Sequence, residues 1–445
     1  MKEPVIVVGG GLAGLSACVA LAERGWPVTL LEARPRLGGR ASSFTDAATG
    51  QLVDACQHVS MGCCTAFADF CRTLKLDPLL EEQSVLRFLT PDRRVSTWQS
   101  DPLPAPLHLA RSFLHAHFLP WREKLGLATA LRRLQRWPAD LDAPLSSWLD
   151  EQHQSPLARR RFWSPVLVSA LNEQLDRVGI KYARKVFVDS FLTNRRGGVL
   201  AIPRVPLGRL YGKELNDWLA QRRVQVRLDA AVRTVEFAQG RVTGVQLRSG
   251  ESLFASAVIL AVPHRRVPEL LPPALAAHPA MTALHRLETS PITSVHLWLD
   301  RPITPWPHVV LLETLGQWLF NRGEVEPGVH YVQVVISAAG ELRTWGHDQI
   351  RAKIEEELRL LFPLKPPAQV LRCRVVTEMD ATFSPVPGVD QWRPTQRTAW
   401  PGLFLAGDYT QTGWPATMEG AVRSGRLAAG ACFEATDLIK PDPAV

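Results

Sequence analysis

The 445-residue chain predicts an α/β fold, in which a parallel-sheet domain assembled from distant parts of the sequence is interleaved with a mixed α+β domain. Three observations predict it. Close to the start, the apolar run Val5 to Val8 leads directly into Gly9, Gly11 and Gly14 and then into a helix-like stretch. A second glycine pair with a basic residue, Gly38-Gly39-Arg40, follows soon after. Near the far end, Gly402-Leu-Phe-Leu-Ala-Gly407-Asp408 again runs an apolar strand into a glycine turn, and Gly413 to Gly425 completes that block.

Each element has a mechanical reason. Val5 to Val8 is apolar without alternation, as suits a strand covered on both faces of a parallel sheet. Gly9 permits the tight turn, Gly11 lets the backbone approach a pyrophosphate, and Gly14 lets the helix pack close to the strand. The helix from about Leu12 to Arg24 aims its free N–H groups and positive dipole end at the phosphates. Gly25 caps it, and Val28 to Leu31 returns as the second strand. Glu32 lies 18 residues after Gly14, close to the ~20-residue spacing of an acid that accepts hydrogen bonds from an adenosine ribose. The second glycine turn, Gly38-Gly39-Arg40, can add contacts to a larger dinucleotide, which favours a flavin over a nicotinamide.

The segments Gly9 to Arg40 and Gly407 to Gly425 resemble the FAD-binding segments of the amine oxidase and carotenoid desaturase superfamily. The resemblance implies a Rossmann-type FAD-binding domain. On one side FAD would be held by Gly9, Gly11, Leu12, Ala13, Gly14, Glu32, Ala33, Arg34, Gly38, Gly39 and Arg40. On the other it would be held by Gly407, Asp408, Trp414, Pro415, Ala416, Thr417 and Met418. Asp408 would bond the ribityl or pyrophosphate region, and Val232 would meet the adenine through its backbone. The helix starting near Pro415 to Met418 would point its N-terminus at the flavin ring, where its dipole favours the anionic reduced form.

Length argues for two joined domains. Residues 1–70, 202–270 and 385–445 are assigned to the FAD-binding domain, and 71–201 and 271–384 to the substrate domain. In the first domain a helix near Leu207 to Gln221 precedes strands at Val224 to Leu228, Ala231 to Phe237, Val242 to Arg248 and Ala257 to Ala261. The first excursion reads as mostly helical. The second mixes strands (Thr293 to Leu299, His330 to Ser337) with a helix (Asp348 to Leu361). The seven cysteines lack zinc spacing, which predicts no metal and suits a reducing cytoplasm. No secretory leader is expected, because the first strand begins almost at once. No uncharged apolar run reaches the ~18 residues that span a bilayer.

The net charge of +8 suits nucleic acid or an anionic membrane surface. No nucleic-acid motif supports the former. Much of the excess lies between Pro102 and Trp137, where Arg111, Arg122, Lys124, Arg132, Arg133 and Arg136 face a single acid, Glu123. Leu103, Leu107, Leu109, Phe113, Leu114, Phe118, Leu119, Trp121, Leu125, Leu127, Leu131, Leu134 and Trp137 share that segment, and Pro120 divides it into two helices. Basic and aromatic residues on apolar helices suit a membrane interface. The expected location is therefore cytoplasmic, peripheral to the inner face of the cytoplasmic membrane. The chain has 14 Trp and 16 Phe but 4 Tyr, a balance suited to a hydrocarbon tunnel.

Finer motifs narrow the resemblance. Asp54-Ala-Cys-Gln57-His58-Val, Ala201-Ile-Pro203-Arg204-Val-Pro206-Leu207, Gln317-Trp318-Leu-Phe320-Asn321-Arg322 and Thr412 to Gly425 resemble the hydroxysqualene dehydroxylase family of squalene and hopanoid synthesis. Cys56 and Asn321 depart from its pattern, standing where a glycine and an aspartate are expected. The resemblance implies an apolar isoprenoid substrate, hydroxysqualene, whose allylic hydroxyl is replaced by hydride from reduced flavin. It also implies hand-over among squalene-pathway synthases. Hydroxide leaves poorly without a proton. His58 is the first candidate for that proton, Gln57 a positioning donor, and Trp414 a wall beside the ring. A structural role for His58, bonded to the flavin or to Asp54, is the alternative. Vicinal Cys63 and Cys64 read as packing residues. Oxidative desaturation of an isoprenoid, amine oxidation, and flavin-bearing prenyl-lipid binding without turnover remain as other activities.

Overall fold

The computed structural model describes residues 3–47 and 50–437. The parallel sheet expected from the two glycine blocks is present. Its five strands lie in the order Gln225–Arg227, Val28–Leu31, Val5–Val8, Ala257–Leu260, Leu403–Leu405. Val7 sits between Leu30 and Ile259, and all three are fully buried. The central position of the first strand puts the Gly9 turn at the carboxyl edge of the sheet, where open α/β sheets bind their ligands. Helix Leu12–Glu23 is buried along nearly its whole length because the closing helix, Met418–Asp437, packs against it. A three-stranded meander, Val232–Ala238, Arg241–Leu247 and Ser252–Phe254, is inserted before Ala257–Leu260.

Three expectations need correction. The helix drawn from Leu207 to Gln221 is two, Leu207–Leu210 and Lys213–Gln221, because Gly212 at φ −95, ψ −117 is not helical. The first domain runs past residue 70, since helix Thr65–Thr73 buries Phe67, Phe70 and Cys71 in the same core as helix Leu12–Glu23. The first excursion is not mostly helical at its start. Leu86–Leu89 and Val95–Trp98 form a hairpin on the edge of a seven-stranded sheet. Short apolar runs do not separate strand from helix by periodicity; here the parallel partner His308–Leu311 decides.

That second sheet runs Val370–Phe383, Thr289–Leu299, Val329–Ile336, Trp318–Glu326, His308–Leu311, Leu86–Leu89, Val95–Trp98. Helix His347–Leu361 covers it through Ile350, Ile354 and Leu358. The segment after residue 102 forms helices Ala110–Leu114 and Trp121–Arg136, with Pro120 at the N-cap of the second, as expected. Two later helices continue into π-helical stretches, Arg159–Trp163 and Lys185–Leu192, a geometry often found at functional sites. Among the described residues, no helix is long and apolar enough to cross a membrane.

Candidate cofactor and substrate site

The two glycine turns of the N-terminal block meet. Gly11 bridges Gly38, and the Gly38 N–H donates to Gly10 O at 2.9 Å. Gly9 has φ +108, and a Cβ there would lie 2.5 Å from Ala261 O. A Cβ on Gly39 would lie 3.0 Å from the Gly11 Cα, so side chains here would fill the cradle. Gly14, counted in the sequence with the cofactor contacts, stands behind the cradle instead. Its Cβ would sit 1.9 Å from Gly9 O, so its role is close helix–turn packing. Glu32 accepts from Gly10 N–H at 2.6 Å and Arg34 N–H at 2.9 Å. A carboxylate has about four acceptor positions, so capacity remains for a ribose.

The far block closes onto the near one through charge. Arg40 donates to Asp408 Oδ1 at 2.7 Å and to Ala381 O at 2.7 Å. Gly425 lets the closing helix approach, because a Cβ there would meet Ala13 O at 2.1 Å. Arg393, fully buried, gathers the loop after Asp408 by donating to the carbonyls of Asp408, Tyr409, Thr410 and Trp414. Buried Glu419 accepts from the N–H groups of Ala66 and Phe67 and so fixes helix Thr65–Thr73 to the closing helix. Neither Arg393 nor Glu419 stood out in the sequence, because their partners are backbone groups remote in the chain.

Both blocks line one cavity of about 1400 Å³. Gly9, Gly11, Leu12, Ala13, Glu32, Ala33, Arg34, Gly38, Gly39, Arg40, Val232, Gly407, Asp408 and Trp414 to Met418 all reach its wall. It continues into the second domain along an aromatic series. Phe88, Trp98, Phe113, Phe162, Phe187 and Phe191 line it, with successive ring centroids 5.5–6.4 Å apart. Trp318 lines the same stretch and is oriented by donating from Nε1 to Ser169 Oγ at 2.7 Å. The cavity reaches the surface at Ala128, Arg132 and Gln135, exposed residues of helix Trp121–Arg136. Trp121 and Leu125, 66% and 61% exposed, extend the same helical face.

Polar side chains also line the cavity where the domains meet, among them Asn172, Glu378 and Asp380. His58 lines the cavity, and its Nδ1 lies 2.9 Å from Cys56 O, not on Asp54. Burial lowers its pKa, which leaves the ring neutral with Nδ1–H donated and Nε2 as acceptor. Gln57 also lines the cavity and donates to His58 O. Asp54 accepts from Ser43 Oγ and Leu207 N–H, and burial raises its carboxyl pKa. Asn321 is spent on Thr304 O and Gly323 N–H, away from the cavity. The group missed in the sequence is Lys185, whose ammonium lies 4.4 Å from the centre of the Trp414 ring and 2.6 Å from Asp189. The available signal was an i,i+4 Lys–Asp pair, with Lys185 at the start of the apolar run Val186 to Leu192 and Asp189 within it.

The family model for flavin-containing amine oxidoreductases matches residues 12–432. The chain belongs to that family. This flavoenzyme is 26% identical to a 15-cis-phytoene desaturase of Synechococcus elongatus, over 97% of its own length and 96% of the relative's. It is 24% identical to a probable zeta-carotene desaturase of the same organism, with 97% and 98% covered. Among solved structures, an oxidoreductase from Methanosarcina mazei superposes with a TM-score of 0.72 at 17% identity, covering 97% of this chain and 100% of that one. FAD is the cofactor, and the residues present fit it. The backbone cradle leaves no room for side chains, Glu32 keeps free acceptor positions, and the buried Tyr409 hydroxyl on the cavity wall has no partner among the described residues.

Proposed function

We propose that this flavoenzyme removes the allylic hydroxyl of hydroxysqualene reductively, forming squalene for hopanoid synthesis. The observation that carries the proposal is the Lys185 ammonium on the cavity wall, held between Trp414 and Asp189. A hydrocarbon desaturase has no leaving oxygen to protonate, whereas a dehydroxylase requires a proton donor there. FAD, when bound, supplies the reducing equivalents. Lys185 has three N–H donors, so one is free for the departing oxygen while Asp189 holds another. The neutral His58, with Nε2 unspent, accepts from the substrate hydroxyl and orients it, and Gln57 secures the His58 backbone. The Trp414 ring carries Lys185 and Arg423 over it and so holds the Lys185 ammonium in place. Aromatic rings from Phe88 to Phe191 hold the chain and exclude water.

Supply of such a substrate is governed by solvation. Exposing a C30 chain to water costs on the order of 20 kcal/mol at ~0.8 kcal/mol per CH₂. The tunnel mouth on helix Trp121–Arg136, with its apolar stripe and cluster of arginines, supports collection from an anionic membrane surface at the cytoplasmic face. Product leaving by that mouth would pass to other squalene-pathway enzymes without entering water.

A second reading, oxidative desaturation of an isoprenoid, is favoured by the names of the full-length relatives. An anaerobic experiment separates the two. With the bound flavin reduced, hydroxysqualene should reoxidise it stoichiometrically and yield squalene. Bleaching of the oxidised enzyme by a hydrocarbon or an amine, with no reoxidation by hydroxysqualene, would overturn the dehydroxylase reading. Binding without either would leave a carrier.

A further inference from the structure

The seven-stranded sheet has two edges, and they differ. At one, strand Val95–Trp98 is covered by the segment that carries helix Ala110–Leu114. Gln99 N–H donates to Ser112 Oγ there, and the Trp98 and Phe113 rings lie 6.2 Å apart. At the other edge, no strand among the described residues pairs with the outer side of Val370–Phe383. Of that strand only Val375 and Phe383 are buried, and Leu371 and Met379 are 49% and 46% exposed. Its ladder with Thr289–Leu299 is regular over residues 372–378 and shifts register only beyond them, at both ends. An uncovered edge with a regular middle presents unpaired N–H and C=O groups, which favour pairing with another strand unless charge opposes it.

The charges on this edge select a partner. Arg372, Arg374, Val376 and Glu378 share one face of the strand. Arg374 is exposed and has no ion pair among the described residues, and half-buried Glu378, on the cavity rim, accepts only from Asp380 N–H at 3.4 Å. Arg372 is already paired with Glu326, and Asp380 with Thr289. Two copies of the strand joined antiparallel about a two-fold axis pair each position with its mirror about the central residue. With Val376 at the centre, Arg374 of each copy stands opposite Glu378 of the other, and Cys373 opposite Met379. Centring on Arg374 sets that charge against itself. Centring on Val375 places Arg374 opposite Val376, and centring on Thr377 places Glu378 opposite Val376. We propose that this edge joins two copies of the chain, by antiparallel pairing of residues 372–378 with their counterparts about Val376. A ladder of that length covers less than the ~1,600 Å² of a standard stable interface, so monomer and dimer exchange with concentration. The tunnel mouth lies at the covered edge, where Lys124 of helix Trp121–Arg136 donates to Leu114 O. The width of the sheet, about 30 Å at ~4.8 Å per strand spacing, separates it from the pairing edge, and both mouths of the dimer stay open.

The test uses the FAD-loaded full chain, followed by sedimentation velocity over a dilution series. A monomer–dimer equilibrium is expected. Arg374→Glu and Glu378→Arg each set like charges opposite one another at two symmetric positions and should weaken dimerisation about tenfold or more. Combining the two substitutions restores opposite charges and should restore the dimer. Val376→Cys should form an interchain disulfide on mild oxidation, because directly opposed residues have Cα atoms about 4.5–5.5 Å apart. Thr377→Cys, whose counterpart lies diagonally across the ladder, should not, nor should the wild type through Cys373. The cysteine variants keep the test open if a charge variant does not fold. A monomer at every concentration, association that ignores charge reversal (as contact through the apolar stripe of helix Trp121–Arg136 would), no recovery in the double variant, or equal cross-linking of Thr377→Cys would overturn the proposal.

Discussion

The two ends of the cavity are built on opposite principles. At the cofactor end the wall is backbone. A Cβ on Gly9, Gly38 or Gly39 would lie 2.5–3.0 Å from a neighbouring backbone atom, and fixed carboxylates at Glu32 and Asp408 set orientation. At the substrate end the wall is side chain, from Phe88 to Phe191, and the mouth is edged by exposed Trp121 and Leu125. A polar ligand of fixed shape is recognised by directional bonds that few residue types can provide. A hydrocarbon is recognised by volume and solvation, which many apolar residues satisfy.

The largest test of this contrast is Gly14→Val. The first added carbon already sits 1.9 Å from Gly9 O, a backbone atom that cannot step aside. Purified protein should carry less than about a tenth of the wild-type flavin absorbance per chain, given that overpacking of this kind costs several kcal/mol. Wild-type flavin content would break the description of that end as a backbone fit. Lys185→Met comes next. General-acid loss lowers turnover by about 10²–10⁴, while flavin content should stay at the wild-type level. A change confined to KM would reduce Lys185 to a support for the Trp414 ring.

At the mouth, replacing Arg132, Arg133 and Arg136 together by Gln should weaken partition onto anionic vesicles about 100-fold, at ~1 kcal/mol per charge. Sedimentation with phosphatidylglycerol vesicles measures it, and unchanged partition would remove the membrane from the picture. The smallest effect is at Glu32→Gln. The amide oxygen can still accept from Gly10 or Arg34 N–H, but without charge, and FAD affinity should fall about tenfold by titration of the apoprotein. A loss as deep as that of Gly14→Val would mean that the carboxylate, not the backbone, sets the fit.

The same contrast explains what could be read early. Gly9, Gly11, Glu32, Gly39, Gly407 and Trp414 to Met418 all line the cavity, and a short motif exposes the local steric or hydrogen-bonding demand that each meets. Gly14 was legible as a packing glycine but not as one screened from the cofactor. Lys185 was not singled out, since an exposed Lys–Asp pair on a helix surface has the same spacing. The hairpin Leu86–Leu89 and Val95–Trp98 was not singled out, because its partner strand His308–Leu311 lies more than two hundred residues away.

By itself, the order of residues determined the nucleotide cradle, the strand that carries it, and the break at Pro120 that separates the two surface helices. These depend on φ, on Cβ volume and on the missing proline N–H, properties that a residue keeps in any surroundings. Only the tertiary structure decided that Lys185 would meet Trp414 and that Arg393 would gather four carbonyls. Those outcomes depend on which distant groups share a low-dielectric space, and packing, not local preference, selects them.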